Sequence, residues 1–411
     1  MDTVCYFSVI PKEILDYIIS LTKNKIFDLC LINKYFDANC KAIRIVDNSK
    51  YPKISNIKLK TLINLASVNL IFNKIISDEG IKGLINLMSI DLSSNNKITD
   101  EGIKGLHNLT SLKLFYNDII TNEGIKSLIN LKDLNLFYNK IITDEGIKNL
   151  INLTDLNLNG NDKITDEGIK GLISLTSLDL SHNTIITNDG IIKLTNLTSL
   201  NLQNNNMITN HGLKGLYNIT FLNLCQNDNI TNHVIKELTN FTSLDLLINY
   251  KITDNEIKGL ISLASLDLSH NTIITNDGII KLTNLTSLNL QNNNKITDKG
   301  LKGLISLTSL DLSHNNIITN DGIVKLTNLT SLNLRSNNKI TNGGIKEMTN
   351  LIFLNLWNNH KITDKGIKGL INLTSLNLCS NNKITDKGLI KLTNLNILDL
   401  YNNYIITKKL T

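Results

Sequence analysis

Residues 285–304 read Leu-Thr-Ser-Leu-Asn-Leu-Gln-Asn-Asn-Asn-Lys-Ile-Thr-Asp-Lys-Gly-Leu-Lys-Gly-Leu. Two periodicities lie in this stretch. Leu288 and Leu290 alternate with Ser287 and Asn289, the spacing of a short strand with one buried and one solvated face. Thr297 and Asp298 then precede Leu301 and Leu304 at i, i+3 spacing, which marks a capped turn of helix. The same phrase starts at Leu65 and returns every 22 residues through Leu87, Leu109 and onward to Leu395, sixteen copies without an insertion. A unit this short cannot bury its apolar face alone. Stacked neighbours must do it, so the period predicts a solenoid with parallel strands about 4.8 Å apart.

Numbering each copy from its first Leu, the ninth place is Asn in all 16 copies, from Asn73 to Asn403. There the chain leaves the strand, stranding backbone groups that an amide, carrying donors and acceptors, can satisfy while bridging to a neighbouring coil. Ile holds the twelfth place in every copy, from Ile76 to Ile406, and with the apolar seventeenth and twentieth places it closes the interior. Gly fills the sixteenth place in 13 copies, so the outer segment should be one or two turns, partly 3₁₀. Glu101, Glu123, Glu145 and Glu167 stand three residues before Lys104, Lys126, Lys148 and Lys170, a solvated outer column.

Composition narrows the class. The chain has 411 residues, 41% hydrophobic and 19% charged, which fits an ordered chain and not bulk disorder. Net charge is +6, from 42 basic and 36 acidic residues, too mild and too mixed to indicate a nucleic-acid binder. The start Met1-Asp2-Thr3-Val4-Cys5 has no cationic leader, and no apolar run approaches a membrane span. Five scattered cysteines without a C-x-x-C pair argue for a reducing, cytoplasmic compartment.

The phrase L-x-x-L-x-L-x-x-N-x-x-I-T-D-x-G-I-K-x-L resembles the leucine-rich repeat over about residues 57–411. The fold class this implies is α/β: a curved parallel β-sheet with short outer helices or 3₁₀ turns. Residues 1–46 depart from the repeat. Ile14, Leu15, Ile18 and Ile19 share one helical face, and Ile26–Phe36 carries a second. The order Ile-Pro-x-Glu-Ile-Leu-x-x-Ile-Ile, then Phe-x-Leu and Asn-Lys-x-Phe, is similar to an F-box, a helical module that docks a Skp1-like adaptor of cullin-based ubiquitin ligases. The resemblance places Ile10, Pro11, Glu13, Ile14, Leu15, Ile18 and Ile19 at the adaptor, with Leu29, Ile32 and Phe36 as module core or contact. Ile10 stands where Leu is usual, and no Trp follows near residue 45. A simple helical cap on the array is the other reading of these residues. Residues 47–64 form a linker and half-repeat, and 65–411 the sixteen coils.

Variation piles up in the seventh and eighth places. There Phe72, Phe115, Tyr116, Phe137 and Tyr138 form an aromatic group on the first four coils, and His182, Arg335, Trp357 and Tyr401 follow. Exposed aromatics and Arg on a rigid platform are usual anchors of recognition, although scattered exposed apolar residues also occur without a role. His270 and His314 are two rungs apart, too far to share a zinc ion. No nucleophile–base pair, phosphate loop or metal set stands outside the repeat frame, so the expectation is a binding protein without enzyme activity or cofactor. Asn, Ile and Lys abundance suggests an AT-rich genome. The whole resembles substrate receptors of SCF-type ubiquitin ligases and F-box repeat proteins of large DNA viruses, which would place it in a host cytoplasm or nucleus. That implies a Skp1-like adaptor, a cullin complex and an unknown protein target as partners, with neither nucleic acid nor membrane. A stand-alone leucine-rich repeat scaffold or inhibitor is the competing class.

Overall fold

The computed structural model describes residues 45–47 and 54–407. Residues 8–40, and with them the ten adaptor-contact positions, lie outside the described residues. The chain divides into two compact units at Asn196 and Leu197, and each is built from the same coil.

In the first unit, three-residue strands run from Ile45–Asp47 and Ser67–Asn69 to Ser177–Asp179. Each pairs in parallel with the strand 22 residues on, in unshifted register: Val46 faces Val68, Ile90 faces Leu112 and Leu156 faces Leu178. The second unit repeats this from Ser199–Asn201 to Ile397–Asp399, with Leu244 facing Leu266 and Leu376 facing Leu398. The register has a simple cause, because a slip of one residue would turn every inward Leu to water. The strand Ile45–Asp47 lies one period ahead of Ser67–Asn69, so coiling reaches back beyond Leu65 and crosses the boundary placed at residues 46 and 47. A helix Asn56–Lys60 completes that early coil.

The core is aliphatic. In the coil beginning at Leu175, Leu178, Leu180, Ile186, Ile191 and Leu194 join it at 1% exposure or less. Each such side chain contributes about 1.5–3 kcal/mol of burial. The outer segment is a single helical turn of four residues in most coils, such as Asp166–Ile169, shorter than the longest expectation.

Three polar rails tie coil to coil. The ninth-place Asn behaves as expected: Asn117 donates from Nδ2 to the carbonyls of Leu92 (2.9 Å) and Asn95 (3.1 Å) on the preceding coil. Its Oδ1 accepts from the backbone N–H of Ile119 (3.0 Å) and Ile120 (2.9 Å). A second rail joins the fourteenth place to the thirteenth of the next coil. Asp144 accepts from Thr165 through the backbone N–H at 2.8 Å and the hydroxyl at 2.7 Å. The third is the Asn of place 22, where Asn152 donates to the carbonyl of Ile129 at 2.8 Å. The N-L-T triplets at Asn108, Asn152 and Asn196 are therefore rail, core and strand entry in sequence, with each of the three amides bonded to the coil before.

The second rail also decides helix capping. Where the fourteenth place is Asp, as before Thr99, Thr121, Thr165, Thr187, Thr275, Thr319 and Thr385, the Thr hydroxyl accepts a helix N–H. Where it is Asn, as before Ser77, Thr143, Thr231, Thr297, Thr341 and Thr363, that cap is missing. Thr209, 21 residues after Asn188, departs from this and accepts a long bond from the His211 N–H at 3.4 Å. The carboxylate takes the hydroxyl hydrogen and leaves a lone pair for the helix. The amide instead donates into the hydroxyl, as Asn122 does to Thr143 at 2.8 Å. This rail explains the Gly of the sixteenth place. A Cβ on Gly168 would lie 2.4 Å from Oδ1 of Asp144. Glu256 breaks the rule instructively. It is buried in a Gly position and accepts from the N–H and hydroxyl of Thr253 at 3.1 and 2.5 Å, performing within one coil what the rail does between coils. Lys236 Nζ stands 3.4 Å from its Oε1.

Candidate recognition surface

The strand's outward residues stand at the third and fifth places. The fifth is Asn or Asp in all copies but one, Lys113. Its side chain turns the chain: Asn135 Oδ1 accepts from the N–H of Phe137 at 3.0 Å, and Asn355 Oδ1 from that of Trp357 at 2.9 Å. This is an Asx turn at the strand exit. The carbonyl of the sixth place then accepts from the N–H of the ninth, as Leu136 does from Asn139 at 3.0 Å. The seventh and eighth residues are thus the two central residues of a tight turn, and the inward columns make no demand on their side chains.

The eighth residue has positive φ in every coil: 49° at Tyr116, 47° at Tyr138, 55° at His182, and 59° at Gly160, the sole glycine of the column. Left-handed backbone costs a non-glycine residue about 1–2 kcal/mol. Coil-to-coil bonds hold it there, because the eighth-place N–H donates to the seventh-place carbonyl of the next coil. Tyr138 bonds Asn159 at 3.0 Å and Ser336 bonds Trp357 at 2.8 Å. The variable side chains therefore stand on fixed backbone, in columns.

In the first unit two of these columns are aromatic. Phe115 stacks on Phe137 with centroids 4.7 Å apart, and Tyr116 stacks on Tyr138 at 5.4 Å. A tilted contact of 4.4 Å between Phe115 and Tyr116, and an edge contact of 4.7 Å between Phe137 and Tyr138, join the two stacks. Tyr138 extends over Gly160, where an added Cβ would lie 2.7 Å from its ring. Tyr116 is 49% exposed, so the group faces solvent. Beside it, Asn159 Oδ1 is the one buried side-chain polar atom without a hydrogen bond among the described residues. The structure brings together four of the five expected aromatics. Phe72 stands apart, because Ser93 and Ser94 fill both turn places of the coil between.

In the second unit the Arg335 guanidinium carbon lies 3.9 Å from the centroid of Trp357 on the next coil. Tyr401 is exposed two coils beyond, with buried Cys379 between them in the same column. His182, in the first unit, stands exposed in the eighth-place column. Sequence reading passed over Phe221 and Phe353, each 36% exposed in the third place, where Ser is usual. Their signal was the aromatic in a column of Ser and Asp.

Two groups on this face have shifted acidity. Burial, then the charge of Asp267, pushes the Asp245 carboxyl up to about 6, against the lowering effect of the Leu247 N–H. Burial and the charges of Asp245 and Asp267 push the Cys225 thiol up to about 11, which leaves it a poor nucleophile at neutral pH. Among the described residues no group of three or more His, Cys, Asp and Glu could hold a metal, and no helix is long and apolar enough to cross a membrane.

The family model for the leucine-rich repeat matches at residues 83–107, 105–129, 127–151, 149–173, 171–194, 193–216 and 369–393. A second leucine-rich repeat model, of two copies, matches at 261–303 and 305–342, and together they span more than half of the chain. The chain belongs to the leucine-rich repeat family. No curated protein matches it. Among solved structures, this leucine-rich repeat chain is similar to an internalin (inlF) from Listeria monocytogenes, at 28% identity over 84% of this chain and 94% of that one, with a TM-score of 0.48. TLR13, solved in a complex with ssRNA13, is 24% identical over 87% of this chain, with a TM-score of 0.61. Toll of Drosophila, solved in a glycosylated complex with Spatzle, is 20% identical over 85%, with a TM-score of 0.53. The chain spans 62% of the TLR13 chain and 56% of the Toll chain. The likeness to TLR13 and Toll is one of fold.

Proposed function

We propose that this leucine-rich repeat chain is a substrate receptor: its strand-exit columns grip a target protein while residues 8–40 dock a Skp1-like adaptor of an SCF-type ubiquitin ligase. It works by positioning, and the transfer chemistry belongs to other subunits. The observation that carries the recognition half is the pair of aromatic stacks, Phe115 on Phe137 and Tyr116 on Tyr138, fixed on bonded turns. Rigid aromatic side chains lose little entropy on binding and bury a large area, so such clusters dominate interface energies. The adaptor half is supported by the residue order Ile10-Pro11-Lys12-Glu13-Ile14-Leu15 and by its place ahead of the repeats.

The two halves separate experimentally. Full-length protein carrying Pro11→Ala and Ile14→Asp should lose a purified Skp1-like adaptor and keep its target. Tyr116→Ala with Phe137→Ala should do the reverse. Adaptor binding that survives the first double variant removes the ligase reading and leaves a stand-alone binding scaffold.

A further inference from the structure

The repeats contain one arginine and one tryptophan, and the two stand in the same place on consecutive coils, one stacked on the other. We propose that Arg335, held over the ring of Trp357, is the anchor for an acidic segment of the protein partner, engaging a carboxylate or phosphorylated side chain. The inference rests on the reading of the strand-exit columns as the recognition surface and adds the chemistry of what they recognise.

Geometry is the first argument. A guanidinium carries its five N–H donors in its plane, so stacking through a face leaves every donor free at the edge. None of them is used within the described chain. The Arg335 side chain touches the Trp357 ring, and the residue's backbone N–H donates to Asn333 Oδ1 at 3.1 Å. Stacking also removes rotamer freedom before any ligand arrives, which lowers the cost of binding.

Charge is the second. No carboxylate of the described residues pairs with Arg335. Asp311, on the preceding coil, is occupied: it accepts from the N–H of Ser313 at 2.7 Å, the hydroxyl of Ser313 at 2.6 Å and Nδ2 of Asn333 at 2.7 Å. From there to Asp399 the outward strand residues are Ser331, Asn333, Phe353, Asn355, Ser375, Asn377 and Ile397, all uncharged. The guanidinium is thus an uncompensated, fixed positive charge with a planar fork, which suits the two oxygens of a carboxylate or phosphate. Phe353 on the coil of Trp357 and Tyr401 two coils on, 36% and 71% exposed, supply apolar contact for the rest of such a segment.

Trp357 is the sole tryptophan, so intrinsic fluorescence of the full chain reports on this site. The probes are a short Gly/Glu peptide, the same peptide with phosphoserine in place of glutamate, its lysine counterpart and a single-stranded oligonucleotide. The expected result is a saturable change with the glutamate or phosphoserine peptide, the tighter of the two identifying the source of the anion. Arg335→Met should raise the half-saturation concentration tenfold or more with an unchanged far-ultraviolet circular dichroism spectrum. Arg335→Lys, which keeps the charge and loses the fork, should raise it several-fold. The inference is overturned by no saturable response to either acidic peptide, by an equal response in Arg335→Met, or by a response confined to the lysine peptide or the oligonucleotide. Neither the natural target nor the adaptor enters this titration, so its failure is distinct from failure of the receptor reading.

Discussion

Replacing Asn337 by alanine tests the inner rail most sharply. Its Nδ2 donates to the carbonyls of Asn315 (2.7 Å) and Leu312 (3.3 Å), and its Oδ1 accepts from the N–H groups of Lys339 and Ile340, each at 3.1 Å. The four bonds are not equal. The Leu312 carbonyl keeps a second bond, from the N–H of Asn315 at 3.1 Å. Lys339 N–H is only part-buried and can reach water. That leaves the Asn315 carbonyl and the Ile340 N–H buried and unpaired, at about 1–3 kcal/mol each, so a loss of about 4 kcal/mol is expected. Asn328→Ala is the control: the same residue type, one exposed bond to the Ile305 carbonyl at 3.0 Å, and a loss of about 1 kcal/mol or less. Equilibrium urea unfolding, followed by Trp357 fluorescence so that the signal comes from the adjoining coil, compares the two. Equal losses for Asn337→Ala and Asn328→Ala would refute the idea that burial of the rail sets its energetic weight.

Three further outcomes are expected. Gly168→Ala should lower the melting temperature, since its Cβ falls 2.4 Å from Asp144 Oδ1, whereas Gly171→Ala, with nothing within 4 Å, should leave it unchanged or raise it. Asp144→Asn should keep the rail yet remove the cap that Thr165 makes to the N–H of Glu167, at a cost of about 1 kcal/mol in denaturant unfolding, while Asn122→Asp should create a cap at Thr143. Asp245 has its folded-state pKa raised to about 6 from 3.8, so the native state holds the proton more tightly and this residue's contribution to stability falls as pH rises through that window. Asp245→Asn keeps the turn, since Asn is common in that place, and its stability advantage over the parent should grow from pH 4 to pH 7; an advantage constant with pH would contradict the assignment.

Much of the coil was legible in the order of residues because its determinants are short-range. The Leu of the strand, the Ile of the twelfth place and the Asn of the ninth each act within a few residues or on the adjoining coil, and strict repetition fixes the partner. The strand Ile45–Asp47 was not legible as a coil start, because its copy lacks the markers: Tyr51 stands in the ninth place and Lys58 in the sixteenth. The Asx role of the fifth place was hidden for another reason. Asn and Asp on a strand's outer face read equally well as solvation, and bonds such as the one Asn355 Oδ1 accepts from the Trp357 N–H separate the two.

The candidate site shows the same division. The sequence alone determined that chemistry would gather in the seventh and eighth places, since those are the positions that the aliphatic columns and the rails leave unconstrained. Which of those side chains meet was decided by stacking in three dimensions. Phe115 finds Phe137 and Arg335 finds Trp357 because in each pair one residue follows the other by a single period on fixed backbone. Phe72 is left alone because a coil with two serines intervenes. Capping followed the same logic: Asp and Asn look interchangeable along the chain, and only the direction of one proton across neighbouring coils distinguishes them.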